Sequence, residues 1–182
     1  MRSQQHILYA IGNTPLVELR RIVPDGSARI VANLESANPT GSKKDRLVRM
    51  IVQRAAAAGR LPPGGTVVEY PAGTTGISLA LMAAALIYNA HFTFSDALSG
   101  EKRFEMLAYG ATITDVPSDN KKITKKLIRA MIAKAGQISQ LPSHWWAYPL
   151  WRAWEPAVCY GGKPRRCACT HPPAAFLART AQ

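Results

Sequence analysis

Between residues 28 and 141 the chain alternates two hydrophobic patterns. Short runs rich in β-branched and aromatic residues, ARIVANLES (28–36), TVVEY (66–70), HFTFS (91–95) and ATITDVP (111–117), have the length and composition of strands. Longer stretches with helical spacing separate them: an Ala-rich segment over 40–58, an apolar run over 77–88, GEKRFEMLAYG (100–110) and a basic segment after Asp119. This alternation predicts an α/β fold: an open, mostly parallel sheet with flanking helices, four short strands lying between residues 28 and 117.

The helix ends carry their own signals. Ser42 followed three residues later by Asp45 predicts a capping box for the first helix, and Gly59 and Gly110 are expected to close the first and third. Ser118 or Asp119 is expected to cap the basic helix, in which Ile123, Leu127, Ala130 and Met131 share one face while Lys122, Lys125, Lys126, Arg129 and Lys134 occupy the rest. The run ISLALMAAALIYNA (77–90) falls short of the ~20 residues that span a bilayer and reads as a helix packed on the sheet.

Composition narrows the partners. With 182 residues and 47% hydrophobic content the chain is long enough to bury a core, as one domain or one domain plus an appendage. Its 23 Lys+Arg against 11 Asp+Glu give a net charge of +12, compatible with nucleic acid, an anionic membrane or a small anion. The basic helix interleaves no aromatic platform with its lysines, so it reads as a solvated outer face, and neither a nucleic-acid nor a membrane partner is expected. The first nineteen residues show no secretory apolar region or cleavage pattern, which predicts a cytoplasmic protein. After residue 141 the texture changes: all four tryptophans, all three cysteines and six of thirteen prolines lie there without apolar periodicity. The chain therefore divides into residues 1–141 and a divergent tail, 142–182, of unreadable fold. Cys159, Cys167, Cys169 and His171 suggest a zinc set, but the Cys-x-Cys spacing argues against metal and for unpaired thiols.

Two turns carry candidate chemistry. In NPTGSKKDR (38–46), Lys44 falls at a helix start, where free N–H groups carry about half a positive charge and favour a neutral amine. A neutral lysine is a nucleophile suited to a Schiff base, and pyridoxal phosphate is the common aldehyde cofactor held in this way. Lys43, turned about 100° away, reads as a surface residue. The second turn, Pro71-Ala72-Gly73-Thr74-Thr75-Gly76, joins a strand to a helix whose N–H groups suit an anion such as an amino-acid carboxylate, although the same residues also make an ordinary tight connection. Thr-Gly-Ser-Lys-Lys is not a P-loop order, which excludes a nucleotide triphosphatase of that kind.

Taken together, IGNTPLVEL (11–19), NPTGSKKDR (38–46), GTVVEYPAGTTGISLA (65–80) and SGEKRFEMLAYGATITDVP (99–117) resemble, in order and spacing, the cysteine synthase family of fold-type II pyridoxal-phosphate enzymes over roughly residues 7 to 141. The resemblance implies that Lys44 is the Schiff-base lysine and moves the Cα proton, that Thr74 stands beside the cofactor's pyridine hydroxyl where typical members have asparagine, and that Ala72, Gly73, Thr75 and Gly76 bind the substrate carboxylate. It implies β-replacement on O-acetylserine or a related small amino acid, and a homodimer. Cystathionine β-synthase-like or serine/threonine dehydratase-like chemistry, or a non-catalytic basic binding module, are the alternatives.

Pro71, Ala72 and Thr74 depart from the family's Thr-Ser-Gly-Asn-Thr-Gly, and Gly161-Gly162-Lys163-Pro164 does not match its Gly/Thr-rich phosphate loop. A truncated, inactive front half is therefore expected, with the apolar face of 77–90 exposed and a reading-frame shift near residues 145 to 150.

Overall fold

A computed structural model describes residues 6–24 and 26–147; the cysteines, His171 and the Gly161–Pro164 segment lie outside them. After a short 3₁₀ turn (Ile7–Ala10), β1 (Leu16–Glu18) and β2 (Val31–Asn33) precede α1 (Lys44–Ala57). Then follow β3 (Thr66–Glu69), α2 (Thr74–Ala85), β4 (Asn89–Phe94), α3 (Gly100–Ala108), β5 (Thr112–Asp115), α4 (Lys125–Ile138) and β6 (His144–Trp146). The main sheet has the order β5-β4-β3-β6, and every pairing in it is parallel. The expected α/β architecture is present.

Strand alternation divides the core. Val67, Phe92, Phe94 and Trp145 point into the larger cluster with Val48, Val52, Leu79, Met82 and Met106 from α1, α2 and α3. Val68 faces the other way, onto Ala135 and Ile138 of α4, and the Thr93 hydroxyl donates to the Met131 carbonyl at 3.1 Å. Three helices thus cover one face and α4 the other, as parallel strands buried on both sides require.

The details differ from the sequence expectations in four places. ARIVANLES supplies β2, but β2 pairs antiparallel with β1 in a separate two-stranded ribbon, and the fourth strand of the main sheet is β6. Local composition marks a strand without naming its partner. Trp145 and Trp146, grouped by composition with the tail, alternate into the two core clusters and so hold an edge strand that packs on both faces of the sheet.

The capping box does not form. The Ser42 hydroxyl accepts from the Lys44 N–H at 3.1 Å, while the Asp45 carboxylate turns away to the Thr40 N–H at 2.9 Å. Residues 40–43 are a turn instead of helix, with Gly41 at φ +67°. Ahead of α4, Asn120 and Lys121 adopt φ +54°, and the cap is Thr124, whose hydroxyl accepts from the Leu127 N–H at 3.1 Å. The buried face is Leu127, Met131, Ala135 and Ile138; Ile123 and Ala130 are exposed.

Finally, α2 shows no bare apolar face. Gly76 to Ala83 are all buried, wedged between α1, α3 and the sheet. Within the 77–90 run the open apolar side chain is Ile87, 85% exposed just past the end of α2; others lie on and around the ribbon, where Leu16 is 70% exposed and Val17, Ile30, Val31 and Leu34 are also open. Arg46 fastens this ribbon to α1: its Nε reaches both Glu35 carboxylate oxygens at 3.1 Å and its Nη2 donates to the Thr14 hydroxyl. That guanidinium beside Glu35 holds its carboxyl below the usual range.

Candidate functional site

The strand order sets where a ligand belongs. From β3 the chain steps to β4 and β5, and α4 then returns it to the opposite side of β3 to form β6. Open parallel sheets take ligands in the crevice at the carboxyl ends of strands where the order reverses, here β3 and β6. The loop Tyr70–Gly73 leaves β3 at that end and feeds α2.

Gly73 caps α2 without a side chain, so the first-turn N–H groups have no intrahelical acceptor; that of Gly76 turns back to the Gly73 carbonyl at 3.0 Å. Thr74 and Thr75 are half-buried and Ala72 is exposed. The two glycines serve different ends. A Cβ on Gly76 would collide with Met106 Sδ and lie 2.6 Å from Pro71 Cγ, so this glycine lets α2 pack closely on α3 and the loop. A Cβ on Gly73 would meet only Lys102 Nζ, at 3.7 Å.

Lys44 opens α1 and is half-buried, whereas Lys43 is exposed. The two turns meet through the residue between Lys44 and Arg46. Asp45, 1% exposed, accepts at Oδ1 from the Thr40 and Ser78 hydroxyls, each at 2.5 Å. Ser78 lies one turn into α2 from Thr74, and its hydroxyl is also 3.1 Å from the Thr74 carbonyl. The lysine turn and the loop at 71–76 are therefore joined by a hydrogen-bonded bridge.

Three residues at this site carried no functional signal in the sequence. Ser78 is one; its spacing from Thr74 on a helix was readable, but its partner 33 positions earlier was not. Lys102 is another, brought over Gly73 by α3. The third is Glu69, the last residue of β3. It is 4% exposed, its Oε1 accepts from the Tyr70 N–H at 2.8 Å, and its Oε2 has no partner among the described residues. Burial pushes its carboxyl up to about 7, against the lowering effect of that N–H.

A profile of the family described as "Pyridoxal-phosphate dependent enzyme" matches residues 7–149. The chain belongs to that family. Its curated relatives include cysteine synthases: one from Staphylococcus aureus (strain Mu50) is 37% identical over 135 residues, which cover 74% of this chain and 42% of the relative. Cysteine synthase B of Pseudomonas syringae pv. syringae is 40% identical over 116 residues, covering 64% of this chain and 69% of the relative. Among solved structures, O-ureido-L-serine synthase superposes with a TM-score of 0.67 at 35% identity, over 79% of this chain and 43% of that one. A hydrogen sulfide-producing enzyme from Fusobacterium nucleatum gives 0.69 at 25% identity, over 79% and 45%.

The chain thus spans 42% of the length of the Staphylococcus aureus cysteine synthase it matches. The donor set at the switch point fits the family's cofactor in kind: a half-buried amine on one helix start and an uncapped helix start bridged to it. No helix among the described residues is long and apolar enough to cross a membrane.

Proposed function

We propose that this chain carries the lysine and carboxylate-loop part of a cysteine-synthase-like site, for β-replacement on O-acetylserine or a related small amino acid. The reading rests on one observation: Asp45 bridges the Lys44 turn to α2 at the carboxyl end of β3. Bound at this site, pyridoxal phosphate supplies the electron sink that makes the substrate's Cα proton removable. Lys44 Nζ holds the cofactor and carries that proton. Ala72, Gly73, Thr75 and Gly76 form the loop that orients the substrate carboxylate, and Thr74 stands beside the pyridine hydroxyl.

In this reading the front part of the enzyme runs past the expected boundary at residue 141 to include β6, and the divergent tail, read out of frame, begins near residues 145 to 150. The phosphate-holding groups come from chain outside the front part, so these residues alone do not complete the cycle. A family-like homodimer in the cytoplasm belongs to the same proposal. With its two hydroxyls and an amide replaced at Pro71, Ala72 and Thr74, the loop relies on backbone donors, one of which Pro71 removes.

The test is a titration of the purified chain with pyridoxal phosphate, followed by assay with O-acetylserine and sulfide. A Schiff-base absorption band that Lys44→Ala abolishes and Lys43→Ala retains is expected, with no cysteine formed above the rate of free pyridoxal phosphate. A band that survives Lys44→Ala overturns the lysine assignment. Robust turnover overturns the claim that the site is incomplete.

A further inference from the structure

Asp45 is buried deeply and takes part in none of the ion pairs formed among the described residues. Its charge is met by three neutral donors: the Thr40 hydroxyl and the Ser78 hydroxyl at Oδ1, and the Thr40 N–H at Oδ2. A carboxylate accepting several hydrogen bonds is well satisfied without a cation, and each such bond is directional. Two of the donors come from Thr40, at the start of the turn whose far end is Lys44. The third comes from α2.

Ser78 has a single hydroxyl proton and three acceptors in reach, Asp45 at 2.5 Å, the Thr74 carbonyl at 3.1 Å and the Thr40 hydroxyl oxygen at 3.3 Å. The shortest contact, to a charged oxygen, takes the proton. The Thr74 carbonyl, which leads directly into the loop's Thr75 and Gly76, is an alternative acceptor. A displacement of Thr74 therefore changes the competition for the proton that fixes Asp45, and Asp45 adjoins Lys44 along α1.

We propose that Asp45 is a positioning residue for Lys44, and that the Ser78 hydroxyl couples the conformation of the Thr74–Gly76 loop to the lysine turn. This rests on the reading of Lys44 as the reactive amine. Occupancy of the loop by a carboxylate is then felt at Lys44 through two hydrogen bonds, without any ligand touching Asp45.

Competitive acetylation of the full chain with trace acetic anhydride reads this without cofactor or turnover. The quantity measured is the reactivity of Lys44 relative to its neighbour Lys43, in the parent chain and in Ser78→Ala, Ser78→Thr and Thr40→Val. Removal of one hydroxyl is expected to change the ratio by about 3- to 10-fold, the equivalent of one net hydrogen bond. Ser78→Thr should return it toward the parent value, and hydrogen exchange in peptides covering β3 and β4 should stay unchanged. An unaltered ratio in Ser78→Ala and Thr40→Val, with the core intact, overturns the proposal. So does loss of folding in both variants, because Asp45 would then be a core-stability residue. Trapping of pyridoxal phosphate on Lys44 in the parent chain stands or falls separately, so the two readings fail distinguishably.

Discussion

Glu69 shows what one residue's surroundings demand. Its carboxyl, ordinarily near 4.5, is raised to about 7 by burial. The folded chain therefore holds this proton more tightly than the unfolded chain does. The contribution to stability is fully present below about pH 4.5, declines as pH rises toward about 7, and is gone above it. The span corresponds to roughly 3 kcal/mol. Glu69→Gln should flatten that decline, measured as the urea midpoint against pH; an unchanged slope would show that Glu69 is solvated in solution. Nothing in TVVEY announced this, because the burial of a strand's last residue depends on the loop and helix laid over it. Lys44 and Lys43 were separable in sequence, since helical geometry alone turns adjacent residues apart. Asp45 was misread for a physical reason: local spacing allows a capping box, and only the fold brings Ser78 close enough to compete.

At the scale of elements, α2 is the part on which the site depends. Its apolar run was legible as a helix, and its burial on all sides follows from the absence of polar residues between Ile77 and Met82 other than Ser78. Gly76→Ala puts a methyl group against Met106 and Pro71, a close-packed contact. The expected cost is roughly 1–3 kcal/mol in chemical denaturation. A variant as stable as the parent would mean that the loop yields freely. The helix starts were less legible than the helices. α4 is capped at Thr124 and not near Ser118, because two residues at φ +54° turn the chain first and consecutive left-handed residues leave no periodic mark.

For the whole molecule, the parallel sheet was legible from the alternation of strand and helix, and the family from four motifs in order. The separate ribbon was not. Its strands carry apolar residues on both faces, yet Leu16, Val17, Ile30 and Val31 are exposed. A two-stranded ribbon is marginal by itself, so amides of β1 and β2 should exchange well before those of β3 and β4. Equal protection in the two sheets would show that something covers the ribbon in solution. The central claim is that a family site is organised around Lys44, and borohydride trapping of pyridoxal phosphate with peptide mapping tests it most directly. The account predicts that the label falls on Lys44, in the peptide bearing NPTGSKKDR, and not on Lys43. Label on Lys43 alone, or spread evenly over the surface lysines, would contradict it.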